Sequence, residues 1–202
     1  MIPAMQRFLS LLALPIIALL LPLAGAHAAP EATLKSGVFT PPRLAPDFTL
    51  PGTGATELSL RSYRGKLVML GFGFTHCPEV CPVTLAHLAQ ARKQLGDDAG
   101  EVQVIYITVD PERDDVPRLR SYLTAFDPTF VGGTGSDAQL TAVRKEYGIA
   151  ASKVSNADGS IEFAHSAFTY LIDRQGRLRA LMPYGHTAED FLHDLKILLS
   201  EP

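Results

Sequence analysis

Leu67-Val68-Met69-Leu70-Gly71-Phe72-Gly73-Phe74-Thr75-His76-Cys77-Pro78-Glu79-Val80-Cys81-Pro82 carries both cysteines of the chain. Its first eight residues are a continuous apolar run of strand length, the pattern of a strand covered on both faces. From Val83 to Leu95 the apolar positions Leu85, Leu88, Ala89 and Leu95 fall at helical spacing, broken only by Arg92. Gly96 is placed to stop that helix. A buried strand handing over to a helix is where α/β folds present chemistry, and here the handover is the cysteine pair.

The flanking sequence extends the same alternation. Val102 to Val109 is a second β-branched run, closed by Asp110-Pro111, and Val116 to Phe126 reads as a helix with Leu119, Tyr122, Leu123 and Phe126 on one face. Ser136 to Tyr147 has Ser136 as N-cap, Leu140, Val143 and Tyr147 as an apolar stripe, and Gly148 as the stop. Phe168–Ile172 and Leu178–Leu181 flank Asp173-Arg174-Gln175-Gly176, a hairpin signal, and Ala188 to Leu199 closes the chain as a helix. Upstream, Asp47–Leu50 and Glu57–Leu60 flank the turn-rich Pro51-Gly52-Thr53-Gly54. This order predicts an α/β domain, thioredoxin-like, with a mixed central sheet flanked by helices and an N-terminal hairpin. Residues 149–164, polar and containing Asn156-Ala157-Asp158-Gly159, read as a surface insert.

Composition narrows the class. With 202 residues, 47% hydrophobic and 19% charged, the chain is an ordinary globular mixture, which excludes a disordered or collagenous protein. Eighteen Lys plus Arg against twenty-one Asp plus Glu give a net charge of -3 with no run of like charge, so no nucleic-acid footprint is visible. Residues 1–28 combine one early positive charge at Arg7, an apolar stretch from Phe8 to Leu23 and small residues up to Ala28. This reads as a secretory signal peptide or an N-terminal membrane anchor. Sixteen apolar-rich residues interrupted by Ser10, Pro15 and Pro22 are shorter than the roughly 20 a spanning helix needs, which favours cleavage. Residues 29–46, with Pro30, Pro41, Pro42 and Pro46, read as a Pro-containing tether, and 47–202 as the folded domain. Export places both cysteines where disulfides form and persist.

If residues 78–85 begin the helix, Cys77 and Cys81 stand one above the other on one face. Free amide donors and the helix dipole then favour a Cys77 thiolate. A structural disulfide is the bland alternative, and closed zinc is disfavoured because no second cysteine pair follows. Two sulfurs and one imidazole suit Cu(I), which soft thiolates select. Among the histidines, His27 lies in the export segment, His87 and His193 on helices, and His76 beside Cys77 in an extended stretch that turns it elsewhere. His165, just before the strand Phe168–Ile172, is the best placed, with His186 in a loop still open.

Gly71-Phe72-Gly73-Phe74-Thr75-His76-Cys77-Pro78-Glu79-Val80-Cys81-Pro82, then Val109-Asp110-Pro111-Glu112-Arg113, then His165-Ser166 ahead of Tyr170-Leu171-Ile172-Asp173, resemble the SCO/SenC family of copper chaperones for cytochrome c oxidase. The resemblance spans roughly Pro46 to Leu199. It implies a thioredoxin-like fold, copper bound by Cys77, Cys81 and His165 as Cu(I) or Cu(II), and delivery to the dinuclear copper site of the oxidase subunit. It places Asp110 near the site, tuning it or helping a partner dock; a strand-ending turn residue bonding local amides is the alternative. Further implied partners are a thioredoxin-like reductant and an upstream copper donor, with no nucleic acid and a membrane only through the N-terminal segment. The implied location is the bacterial periplasm, soluble or tethered to the inner membrane. Two departures stand out: Gly71 where the family commonly has an aromatic, and Glu79 where Asp is usual.

On this reading nothing is turned over. A second hypothesis is a thiol-disulfide oxidoreductase that reduces the oxidase cysteines, with Cys77 attacking and Cys81 resolving. A peroxiredoxin-like peroxidase shares the fold, but Thr75 lies two before Cys77 and Phe74 fills the position that chemistry needs.

Overall fold

The structure, a computed structural model, describes residues 33–54, 57–155 and 161–201. The export signal or anchor expected over 1–28 lies outside them. In chain order the elements are β1 (Gly37–Leu44), β2 (Thr49–Pro51), β3 (Glu57–Ser59), β4 (Leu67–Gly73), α1 (Val80–Gln94), β5 (Val102–Thr108), α2 (Val116–Thr124), β6 (Val131–Gly133), α3 (Asp137–Tyr147), β7 (Ala151–Ser155), β8 (Ile161–His165), β9 (Phe168–Ile172), β10 (Arg177–Pro183) and α4 (Ala188–Ser200). Six strands form one mixed sheet in the order β1-β10-β9-β4-β5-β6. β4 pairs parallel to β5 and antiparallel to β9. The expected thioredoxin-like class, with helices flanking a mixed sheet, is what the chain adopts.

All seven residues of β4 are buried, as a strand with both faces covered requires. Its neighbour β5 buries every residue but Gln103, and α1 lays Cys81, Leu85, Leu88 and Ala91 into the same core. Arg92, the interruption in the apolar stripe, earns its place through polar ties. Its Nε donates to Val102 O at 3.2 Å and its Nη1 to Asp127 Oδ2 at 3.0 Å, joining α1 to the start of β5 and the end of α2.

The local punctuation follows the sequence. Ser136 caps α3 in a capping box with Gln139, and Gly148 ends it at φ 67°, the left-handed conformation glycine adopts without strain. β9 and β10 form the predicted hairpin, with Gly176 N donating to Asp173 O at 2.8 Å. β2 and β3 form the N-terminal hairpin as a separate two-stranded sheet.

Two expectations need correction, and the surface insert gains detail. The stretch 29–46 is not a tether throughout: Gly37–Leu44 pairs antiparallel with β10 as an edge strand, slipping register between Val38 and Arg43 around Pro41 and Pro42. Prolines there read as linker in sequence, yet an edge strand tolerates them because its outer amides need no partner. The polar insert 149–164 contains two strands, β7 and β8, paired antiparallel from Ala151–His165 to Ser155–Ile161. The helix α1 begins at Val80 with Glu79 as N-cap, so neither Cys77 nor Pro78 is helical.

The edge strand is anchored by a carboxylate. Asp194 on α4 is fully buried and accepts from Lys35 N at 2.8 Å, Ser36 N at 3.1 Å and Ser36 Oγ at 2.5 Å. Replacing it orphans three donors at once. Asp194→Ala is expected to cost about 2–4 kcal/mol, read as a lower urea midpoint at unchanged slope.

Candidate metal centre

β4 and β5 end side by side, and Val109 N donates to Gly73 O at 2.8 Å, so the two chains leave the sheet at one place. The turn after β4 is pinned from below by a carboxylate. Asp114, fully buried, accepts from Thr75 N at 2.9 Å, Thr75 Oγ1 at 2.6 Å and Thr108 Oγ1 at 2.7 Å. Arg118 Nε donates to Thr75 Oγ1 at 3.0 Å from the next helix. The loop leading into the cysteine pair is thereby tied to β5 and α2.

Cys77 sits two residues before the α1 N-cap, Glu79, and its sulfur accepts from Cys81 N at 3.3 Å. A sulfur therefore takes one of the amides that a helix start leaves without an intrahelical partner. The two cysteines meet through this capping contact and not by stacking on a helical face. The Cys81 side chain donating to it does most to bring the Cys77 thiol down to about 4; His165 and the amides of Cys81 and Glu79 act in the same direction against burial. Cys81 is pushed up, because its proton is held by the Cys77 sulfur and burial disfavours a second charge. The pair thus keeps one proton, on Cys81, and exposes a thiolate at Cys77.

His165 closes the group. It is the last residue of β8, and its Nε2 lies 3.7 Å from Cys81 Sγ. Nδ1 donates to Ser166 O at 3.0 Å, which turns Nε2 toward the sulfur. The ring rests edge-on against Phe74 at 5.9 Å, and Phe74 also packs on Phe163 of β8 at 5.5 Å. Arg113 lies over the Phe74 ring, 5.8 Å from its centroid.

The remaining histidines go elsewhere. His76 Nδ1 is 3.2 Å from Thr75 Oγ1 and turns toward Asp110 and Asp114, forming a compact group with them. Both carboxylates there are already engaged, Asp114 by its three donors and Asp110 by Arg113 Nε. Asp110 therefore bonds locally, with its amide donating to Thr108 Oγ1 at 2.9 Å. His186 lines the same cavity as His165, but its Nδ1 faces Asp190 at 3.5 Å and its carbonyl accepts from His87.

Two residues escaped sequence reasoning. Asp114 stood four past Asp110 in a turn, where its role as an anchor had no local signature. Tyr106 lay inside a buried β5 run, where an aromatic usually means core; its signal was the glycine pair in the adjacent strand. Gly71 is its register partner, and a Cβ at Gly71 would already touch its ring at 3.5 Å. The space that an aromatic would take at position 71 is therefore filled from β5. A Cβ at Gly73 would fall 2.0 Å from the Tyr106 hydroxyl and 2.7 Å from Cys81 Sγ, so only glycine fits. A cavity of about 30 Å³, room for about one water, lies among Cys81, Tyr106, His165, Phe168 and Met182.

The sequence model of the SCO1/SenC family matches residues 39–200. The SCO2-like protein of Rickettsia felis is 32% identical over 137 residues, 67% of this chain and 67% of that protein. The structure of Bradyrhizobium japonicum ScoI with copper bound matches with a TM-score of 0.70 at 35% identity, covering 77% of this chain and 99% of the other. Apo Sco1 from Thermus thermophilus, solved in solution, gives 0.75 at 32% identity over 84% and 99% of the two chains.

The unequal sulfurs make a direct prediction for the reduced, metal-free protein. Because Cys77 is lowered, its thiolate fraction rises as pH climbs through about 4 and is complete well below the ordinary thiol range. Iodoacetamide should label Cys77 at mildly acidic pH and spare Cys81, mapped by peptide mass. Equal labelling that begins only near the ordinary thiol pKa would contradict this arrangement.

Proposed function

We propose, since the chain belongs to the SCO1/SenC family, that its domain carries one copper ion on Cys77, Cys81 and His165 and hands it to the dinuclear copper site of cytochrome c oxidase during assembly. The observation that carries the reading is the approach of two sulfurs and an imidazole nitrogen at the start of α1. Soft sulfur donors with one nitrogen suit Cu(I), which accepts low coordination numbers. Cys77 supplies a thiolate in advance, and Cys81 releases its proton when the ion arrives, so loading is coupled to proton release.

The ligands differ in how they are held. Cys77 and Cys81 sit at the junction of the central strand and its helix, whereas His165 ends a two-stranded arm. A recipient's ligands can therefore replace the imidazole first while the sulfurs retain the ion. The copper-site subunit of the oxidase is the recipient the family implies; a thioredoxin-like reductant keeps the pair reduced, and an upstream donor loads it. In this reading the exchange takes place in the bacterial periplasm, with residues 1–28 as export signal or anchor. Among the described residues no helix is long and apolar enough to cross a membrane.

A second reading, reduction of the oxidase cysteines, is favoured by one observation: a lowered, part-exposed Cys77 beside a raised, buried Cys81 is the asymmetry of an attacking and a resolving thiol. It gives His165 no task.

Cu(I) titration of the reduced protein against a competing chelator separates the two. One tightly held copper is expected, weakened at least about a hundredfold in His165→Ala, beyond the usual loss of an outer-shell partner. In Cys77→Ser tight binding should vanish. Weak binding indifferent to His165 would hand the site to electron chemistry.

A further inference from the structure

The Tyr106 hydroxyl is a polar group beside Cys81 that the reading above leaves without work. It is buried, and among the described residues it makes no hydrogen bond, to sulfur included, although Cys81 is its neighbour. A hydroxyl withdrawn from water in that way is costly unless something accepts its proton. What it faces is sulfur: the oxygen and Cys81 Sγ crowd the same space above Gly73, 2.0 and 2.7 Å from where a Cβ would stand. Two glycines in the central strand keep that space clear, Gly71 under the ring and Gly73 under the hydroxyl. The Phe74 amide also approaches the sulfur, and His165 Nε2 lies on it at 3.7 Å.

The geometry points to Tyr106 as a positioning residue whose hydroxyl, by a small adjustment within that space, donates an O–H···S hydrogen bond to Cys81, and so sets how strongly that sulfur binds a soft metal. The copper-loaded half of this inference rests on the function proposed above; the hydrogen bond itself does not. A donor on a ligating sulfur withdraws electron density from the metal bond and fixes the direction of the sulfur lone pairs. The same bond favours the dithiol over the disulfide, since a sulfur in a disulfide is a poorer acceptor than a thiol or thiolate.

Tyr106→Phe removes the donor and keeps the ring. Two readouts on the full chain address it, with Tyr147→Phe as the control, because Tyr147 also loses a core hydroxyl, one bonded to Pro46 O at 2.6 Å. In Cu(II)-loaded protein, the sulfur-to-copper charge-transfer band of Tyr106→Phe should move to longer wavelength while the control keeps the wild-type position. In metal-free protein equilibrated with glutathione and its disulfide, Tyr106→Phe should shift the Cys77–Cys81 couple severalfold toward the disulfide, the scale of one lost hydrogen bond. A band and an equilibrium that stay with the control overturn the inference. If wild type shows no copper band, the copper function fails on its own and the glutathione equilibrium alone decides Tyr106. Should the phenylalanine variant not fold, Tyr106→Leu, also without a donor, is read in the same way.

Discussion

The parallel pairing of Leu67–Gly73 with Val102–Thr108 runs for seven residues without a slip, and nearly every side chain in it is buried. A one-residue shift would exchange the faces of the whole strand and turn its core outward. With the register fixed, both strands end at one edge, and the two segments that follow them must share the space beyond it. One becomes the cysteine turn and the other the Asp110–Asp114 turn. The site is a consequence of where two buried strands are obliged to stop.

Two buried carboxylates then do comparable tasks on different elements. Asp114 gathers the amide and hydroxyl of Thr75 and the hydroxyl of Thr108, fixing the approach to Cys77. Asp194 gathers Lys35 and Ser36, fixing the approach to β1. In each case a loop that would carry unpaired donors into the interior is given acceptors from a distant element. Between them the helix start does the rest, with a cysteine sulfur serving as the acceptor that a Ser or Asp usually supplies.

Much of this was legible in the residues. Ser136 and Gly148 bracket α3 as capping chemistry requires, the Asp173–Gly176 turn joins its two strands, and the run from Leu67 is the central strand. Cys77, Cys81 and His165 were singled out and are brought together. What failed to show was long-range. Whether Pro41 and Pro42 belong to a linker or to an edge depends on a partner strand more than 130 residues later. Residues 149–164 looked like an excursion because β7 is largely exposed, so its alternation has no buried side to reveal it. Tyr106 could not be told from core by its own strand; only the glycines opposite disclose that its far end meets a sulfur.

The sheet has two open sides, and both are blunt. β6 is three residues long, Val131–Gly133, and β1 interrupts its ladder with Pro41 and Pro42 and a register slip. Neither side offers a neighbouring molecule a continuous row of amide donors on which to add a strand. A protein whose main sheet ends in this way can be concentrated, or crowded beside its own copies, without that sheet recruiting strands from its neighbours.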